Sequence, residues 1–240
     1  MALKSLTIVH LYPKEMNIYG DTGNIKTLAW RLKARGLGYD LIAVGIGDQL
    51  PKQVDIMVAG GGQDSGQELI QTDLMKRSKQ LKRLADDGLV ILVVCGMYQL
   101  LGHYFKTAEG SKIEGVGIFD AVTKAGPSRL IGNIVIQSPF GRLVGFENHS
   151  GQTILAGDQL PLGRVIKGSG NDGSSGREGA VYKNAFGTYL HGPILPKNPV
   201  LADELIKRAL ERRYGKDSVL LPPLDDGLAI QAADLAAKRP

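Results

Sequence analysis

The sequence predicts an α/β fold built on a mostly parallel central sheet and extended by antiparallel strands. Three observations carry this. Up to about residue 105, strand-like runs alternate with helix-like runs, the pattern of βαβ units. After residue 110, short β-runs follow one another, broken by glycine rather than by helices. Between them, LVILVVCGMYQLLG (89–102) passes from an unbroken apolar strand into a helical pattern at the chain's single cysteine.

Taken in order, SLTIVHLY (5–12) reads as the first strand. GNIKTLAWRLKARG (23–36) puts Ile25, Leu28, Ala29 and Leu32 on one helical face and ends at Gly36, as helices commonly do. YDLIAVGI (39–46) and VDIMVAGG (54–61) are strands, and 67–87 is a long amphipathic helix closed by Gly88. The later β-runs fall at 116–124, 130–137, 142–148, 163–167 and 180–190. NPVLADELIKRALERRYG (198–215) is a final helix with Asn198 as cap and Pro199 in its first turn. Residues 1–215 form one expected domain, and 216–240 a tail that is either mobile or docked.

With 43% hydrophobic and 22% charged residues in 240, the composition is that of a globular protein. No run approaches the roughly 20 apolar residues of a spanning helix, and Pro13 interrupts the start too early for a signal peptide. A cytoplasmic chain without membrane insertion is expected. The net charge of +5 is spread along helices as solvated faces, so nucleic acid is not an expected partner. The histidines (His10, His103, His149, His191) and the lone cysteine lack metal-ligand spacing, and no metal is expected.

Cys95 is the first candidate for chemistry. At the junction of a strand and a helix, unpaired backbone N–H groups and the helix dipole favour thiolate, the attacking species. The structural alternative, a small apolar residue in a core strand, weighs equally from local sequence alone. VAGGGQD (58–64) ends a neighbouring strand, and its glycines let backbone N–H groups approach an anion, although such a run is more often just a turn. His191, between Leu190 and a Gly-Pro turn, is a candidate base. GFENHSGQT (145–153) gathers Glu147, Asn148 and His149 after a β-run, and His149 is a second candidate base. KGSGNDGSSGREGAVYKN (167–184) lacks GK[ST] and reads as a flexible hairpin loop rather than a phosphate site.

Together, MNIYGDTGN (16–24), AGGGQD (59–64), VCGMYQLLG (94–102), GFENHSGQT and TYLHGPILPKNP (188–199) resemble the class I glutamine amidotransferases. Within them the chain is most similar to the cobyric-acid-synthase-like branch and to the glutaminase subunits of lipid II isoglutaminyl synthases. The resemblance implies an α/β three-layer sandwich that hydrolyses L-glutamine to glutamate and ammonia through a cysteinyl thioester. It implies Cys95 as nucleophile, His191 as general base, Gly61 or Gly62 with Gly96 as oxyanion donors, and Arg129 as guard of the glutamine site. Gln99, Asn148 and His149 are further candidates for the substrate wall. It also implies a heterodimer in which a Mur-ligase-like partner binds ATP and uses the ammonia on the D-glutamate of lipid II, with no cofactor in this chain. A cobyric-acid-type partner is the alternative, and a non-catalytic binding module or a cysteine peptidase on a similar sandwich are the competing classes.

Two departures stand out. Where class I enzymes carry glycines two residues before and after the cysteine, this chain has Val93 and Met97; either the turn tolerates larger residues or the pocket wall is altered, Met97 in particular changing how glutamine sits. Where many carry a glutamate two residues after the histidine, it has Pro193, so the group that orients the imidazole is expected from a partner subunit.

Overall fold

The computed structural model describes residues 4–216 and 220–239; residues 217–219 and 240 of the expected tail, and 1–3 at the start, lie outside the described residues. Along the chain run β1 (Ser5–Leu11), α1 (Thr22–Ala34), β2 (Gly38–Val44), β3 (Ile56–Ala59), α2 (Asp64–Asp86), β4 (Val90–Val94) and α3 (Gly96–Leu101). There follow β5 (Tyr104–Lys106), β6 (Lys112–Glu114), β7 (Ala121–Ser138), β8 (Gly141–Leu155), β9 (Gly163–Lys167) and β10 (Arg177–Glu178). The last are β11 (Ala180–Tyr182), β12 (Ala185–Thr188), α4 (Ile194–Lys197), α5 (Pro199–Tyr214) and α6 (Gly227–Lys238).

The central sheet has the order β11-β12-β4-β3-β1-β2 and is parallel except for β11. Its strands are apolar on both faces because both faces are covered. Leu6, Ile8, Ile56, Val58, Val90 and Leu92 meet Ile25, Leu28 and Leu32 of α1 and Leu201, Leu205 and Ile206 of α5. The alternate residues Val9, Leu11, Met57, Ala59, Ile91 and Val93 meet Ile70, Leu74 and Leu81 of α2 and Met97 and Leu100 of α3. This is a three-layer α/β sandwich.

The antiparallel strands differ from expectation. Only β11 extends the central sheet; β10-β9-β7-β5-β6, with β8 on β7, form a second sheet. The runs expected at 116–124 and 130–137 contribute to a single strand, β7, because Gly126 and Pro127 do not break it. Residues 126–129 instead bulge opposite Ser150, and pairing with β8 resumes at Leu130. The hairpin meets the chain just after β12, where Phe146 and His191 exchange backbone hydrogen bonds of 3.1 and 2.8 Å.

The described part of the tail is docked. Ala233 of α6 packs on Val135 and Val144 of the hairpin. In front of α6, Arg31 is buried between Asp203 of α5 and Asp226, with both carboxylates within 2.6 Å. Removing a buried charge's partner typically costs about 3–5 kcal/mol. Arg31→Ala is therefore expected to lower the urea midpoint by the equivalent of about 3 kcal/mol, read by circular dichroism.

Candidate active site

Cys95, His191 and the glycine loop follow the carboxyl ends of parallel strands, where open α/β sheets place their sites. The order β12-β4-β3-β1 sets His191, Cys95, the Gly60–Gly62 loop and Asp21 side by side.

Cys95 has φ 52° and ψ −110°, a left-handed backbone rare outside glycine. Such strain costs on the order of 1–3 kcal/mol and persists only where the surroundings impose it. Here the Cys95 N–H donates to Thr188 of β12 at 2.8 Å, and its carbonyl accepts from Gln99 in α3 at 3.0 Å. Val93 and Met97 are compatible with the turn because both side chains are buried in the core beneath α3. Met97 is absent from the cavity wall, contrary to the expectation that it would alter the pocket.

Gly61 separates the thiol from the imidazole. A Cβ on Gly61 would stand 3.0 Å from His191 Cε1 and 3.2 Å from Cys95 Cβ, so the two side chains meet across the space of one methyl group. The Gly61 N–H donates to Asp21 Oδ2 at 2.7 Å and its carbonyl accepts from Ile18. Of the two loop glycines offered as oxyanion donors, Gly61 thus has its N–H committed elsewhere. Gly62 and Gly96 lie in contact, a Cβ on Gly96 standing 3.1 Å from the Gly62 nitrogen, and these two amides remain as the pair.

His191 is 1% exposed, and neither ring nitrogen has a hydrogen-bond partner. Tyr19 packs its ring 4.4 Å away, and Asp21 Oδ1 lies 4.0 Å from Nδ1. Burial, helped by His149, pushes the imidazole down to about 3. Burial, reinforced by the Asp21 charge and opposed by the Gly96 N–H and Arg129, pushes the Cys95 thiol up to about 12. The helix start was expected to favour thiolate; desolvation outweighs it, and the resting pair is neutral thiol and neutral imidazole.

A cavity of about 370 Å³ opens beside Cys95, walled by Tyr19, Gly62, Asp64, Gln67, Gln99, Arg129, Asn148 and His149 among others. Arg129 reaches it from the bulge in β7. Asp64 stands at the start of α2, its carboxyl raised by burial and by Glu109 and Glu68, against Arg129. Gln67 Oε1, Asn148 Oδ1 and His149 Nε2 are buried acceptors without partners. His149 pairs its Nδ1 with the Gly151 carbonyl at 2.7 Å and stacks on Tyr189, which places it in the wall. Gln99 is fixed by Gln67 and Tyr189.

Glu147 points away from this wall and accepts the Ser169 and Gly170 N–H groups at 2.7 and 2.8 Å. The glycine-rich 167–184 segment is accordingly pinned, by Glu147 and by Asn171 on Gly179, rather than a free loop. Pro193 packs toward Gly23 of α1. Among the described residues no group of three His, Cys, Asp or Glu is placed to hold a metal, and no helix is long and apolar enough to cross a membrane. Sequence reasoning assigned no role to Asp21, Tyr19, Asp64 or Gln67. The first two lie in the quoted MNIYGDTGN, and Asp64 ends AGGGQD, so their motifs were visible while their roles were not.

Comparison with known proteins fits this geometry. Residues 7–199 match the CobB/CobQ-like glutamine amidotransferase domain. The chain is 40% identical to the lipid II isoglutaminyl synthase (glutamine-hydrolyzing) subunit GatD of Streptococcus pneumoniae, over 95% of this chain and 89% of that one. It is 42% identical to the Staphylococcus aureus subunit of the same name, over 88% and 87%. In fold it resembles PurLQS from Thermotoga maritima, with a TM-score of 0.55 at 18% identity, over 88% of this chain and 97% of that one. The chain belongs to the CobB/CobQ-like glutamine amidotransferase family.

Proposed function

We propose that the chain is the glutamine-hydrolysing subunit of an enzyme that amidates the D-glutamate of lipid II. The observation that carries this is the juxtaposition of Cys95 and His191 across Gly61 at the edge of an amino-acid-sized cavity. The similarity to two subunits of that name along nearly their whole length supports the choice of acceptor.

Glutamine enters as a zwitterion with a neutral amide. Arg129 suits its α-carboxylate and Asp64 its α-ammonium, while the unpartnered acceptors of Gln67, Asn148 and His149 suit N–H donors. Because thiol and imidazole rest neutral, attack and proton transfer are coupled. His191 takes the Cys95 proton as sulfur bonds to the amide carbon, and the Gly62 and Gly96 N–H groups receive the oxyanion. The imidazolium returns the proton to nitrogen as the carbon–nitrogen bond breaks, leaving a thioester and free ammonia. Water, deprotonated by His191, then releases glutamate and restores the thiol.

Ammonia in open water becomes ammonium and is lost as a nucleophile, so the acceptor site must adjoin this one. The proposed partner is a Mur-ligase-like subunit that holds ATP and the lipid II acceptor, in a heterodimer in the cytoplasm. Within 167–184, Glu147 engages the Ser169 and Gly170 N–H groups, which supports placing ATP on the partner.

Glutaminase assay of the purified chain with its ligase partner tests the reading. Glutamate release should be abolished by Cys95→Ala, and a glutamate-sized mass should appear on Cys95 in quenched wild type; release undiminished in Cys95→Ala would refute it. Gly61→Ala inserts a methyl between thiol and imidazole at a backbone that is not left-handed. Its kcat is expected to fall by ~100-fold or more with the melting temperature little changed. Arg129→Ala and Asp64→Asn should each raise KM about tenfold, with kcat affected less, in steady-state kinetics.

A further inference from the structure

We propose that Glu178 is a positioning residue for the nucleophile: its carboxyl fixes the end of β12, and through the Thr188 carbonyl it sets where Cys95 stands. The inference rests on the hydrolytic reading above and adds a residue that takes no part in the chemical steps.

Strand pairing between β11 and β12 stops short of the site. It reaches only to Ala180 opposite Gly187. At Gly179 the backbone turns through φ 67°, its N–H donating to Asn171 Oδ1 and its carbonyl accepting from Asn171 Nδ2, as the chain passes from β10 in the second sheet to β11 in the central one. A Cβ at Gly179 would stand 2.4 Å from the Gly187 carbonyl oxygen, which reserves this crossing for glycine. Thr188, Tyr189 and Leu190 therefore run on beyond that pairing, although all three are buried.

A side chain takes over where that pairing ends. Glu178 is fully buried, and its Oε1 accepts the Tyr189 N–H at 2.6 Å and the Thr188 hydroxyl at 3.0 Å. The same hydroxyl accepts the Leu190 N–H at 3.0 Å. Since the Thr188 carbonyl accepts the Cys95 N–H at 2.8 Å, Thr188 is held by Glu178 through its side chain and holds the nucleophile through its backbone. The left-handed backbone of Cys95 persists only where the surroundings impose it, and this junction is one side of that grip. Glu178 also fixes Tyr189, whose hydroxyl accepts from Gln99 at 3.2 Å and whose ring carries His149 in the cavity wall.

Burial makes this a hydrogen-bonding role rather than a charged one. Desolvation pushes the carboxyl up to about 8, opposed by the Tyr189 N–H and the Thr188 hydroxyl and reinforced by Glu147, so at neutral pH it is mostly the neutral acid. Oε1 accepts both bonds while Oε2 has no partner. A glutamine reproduces that pattern with its single carbonyl oxygen. An alanine leaves a buried N–H and a buried hydroxyl without their acceptor, and the strand end free to move.

The test compares wild type, Glu178→Gln and Glu178→Ala, each in complex with the ligase partner and assayed well below its melting temperature. Glu178→Ala is expected to lower kcat by ~10-fold or more, since a small displacement of a reacting atom costs that much, while Glu178→Gln stays within about threefold of wild type. In ¹⁵N amide spectra the short-bonded Tyr189 N–H should lie downfield in wild type and Glu178→Gln and move upfield in Glu178→Ala. Wild-type kcat in Glu178→Ala would overturn the proposal. So would an equal loss in both variants, or a loss with the Tyr189 signal unmoved, which marks a merely structural role. Should Glu178→Ala not fold, an ordinary Tyr189 amide shift in wild type, or a fall in kcat of more than about tenfold in Glu178→Gln, would overturn it alone. Wild type without glutaminase activity would refute the hydrolytic reading instead, while the Tyr189 signal still reports on its bond to Glu178.

Discussion

The parallel pairing of β12 with β4 is the constraint on which the site depends. Val93 stands opposite Gly187 and Val94 opposite Thr188, and the Thr188 carbonyl accepts the Cys95 N–H. That pairing joins segments nearly a hundred residues apart and fixes how far the chain runs past each strand end before its reactive side chain appears. A shift of one residue would turn alternate side chains to the opposite face and part Cys95 from His191. Gly187 permits the approach, since a Cβ there would press into the rings of Tyr98 and Phe119. The left-handed backbone of Cys95 is then a consequence of being held from β12 on one side and from the start of α3 on the other.

Burial decides the electrostatics of what this pairing brings together. The N-terminus of α3 offers the sulfur a backbone N–H, but α3 has six residues and the thiol is buried, so desolvation of the anion wins. The same dryness holds the imidazole neutral. A resting ion pair would have made the cysteine reactive toward any electrophile. In the proposed reaction the neutral pair acts when a substrate carbonyl reaches the Gly62 and Gly96 N–H groups, so that charge develops where donors already stand.

Much of the fold was legible because it rests on local signals. The apolar runs of β1, β3 and β4, the amphipathic period of α2, and the Asn198-Pro199 start of α5 each state their element in a few consecutive residues. What failed was the separation of sheets. Gly126 and Pro127 look like a break, yet pairing of β7 with β8 on both sides bridges them, and the interruption survives as the bulge that brings Arg129 to the cavity. Cys95 and His191 were legible as candidates because strand ends and a constrained turn mark them. Asp21 was not, because its closeness to a ring 170 residues later in the chain is encoded in no local pattern.

The second sheet also helps to build the candidate site. Its hairpin supplies Arg129, Asn148 and His149 to the cavity, and through the Phe146 bridge it holds the backbone of His191. His191 is thereby set by three independent elements: strand β12 delivers it, β8 clamps its peptide, and the segment before α1 faces its ring. Phe146 itself is about one-third exposed, at 37%, as is Ile18 to a greater degree at 45% near the cavity mouth. Phe146, whose backbone holds His191, thus presents its side chain at the surface, as does Ile18 in the cavity wall.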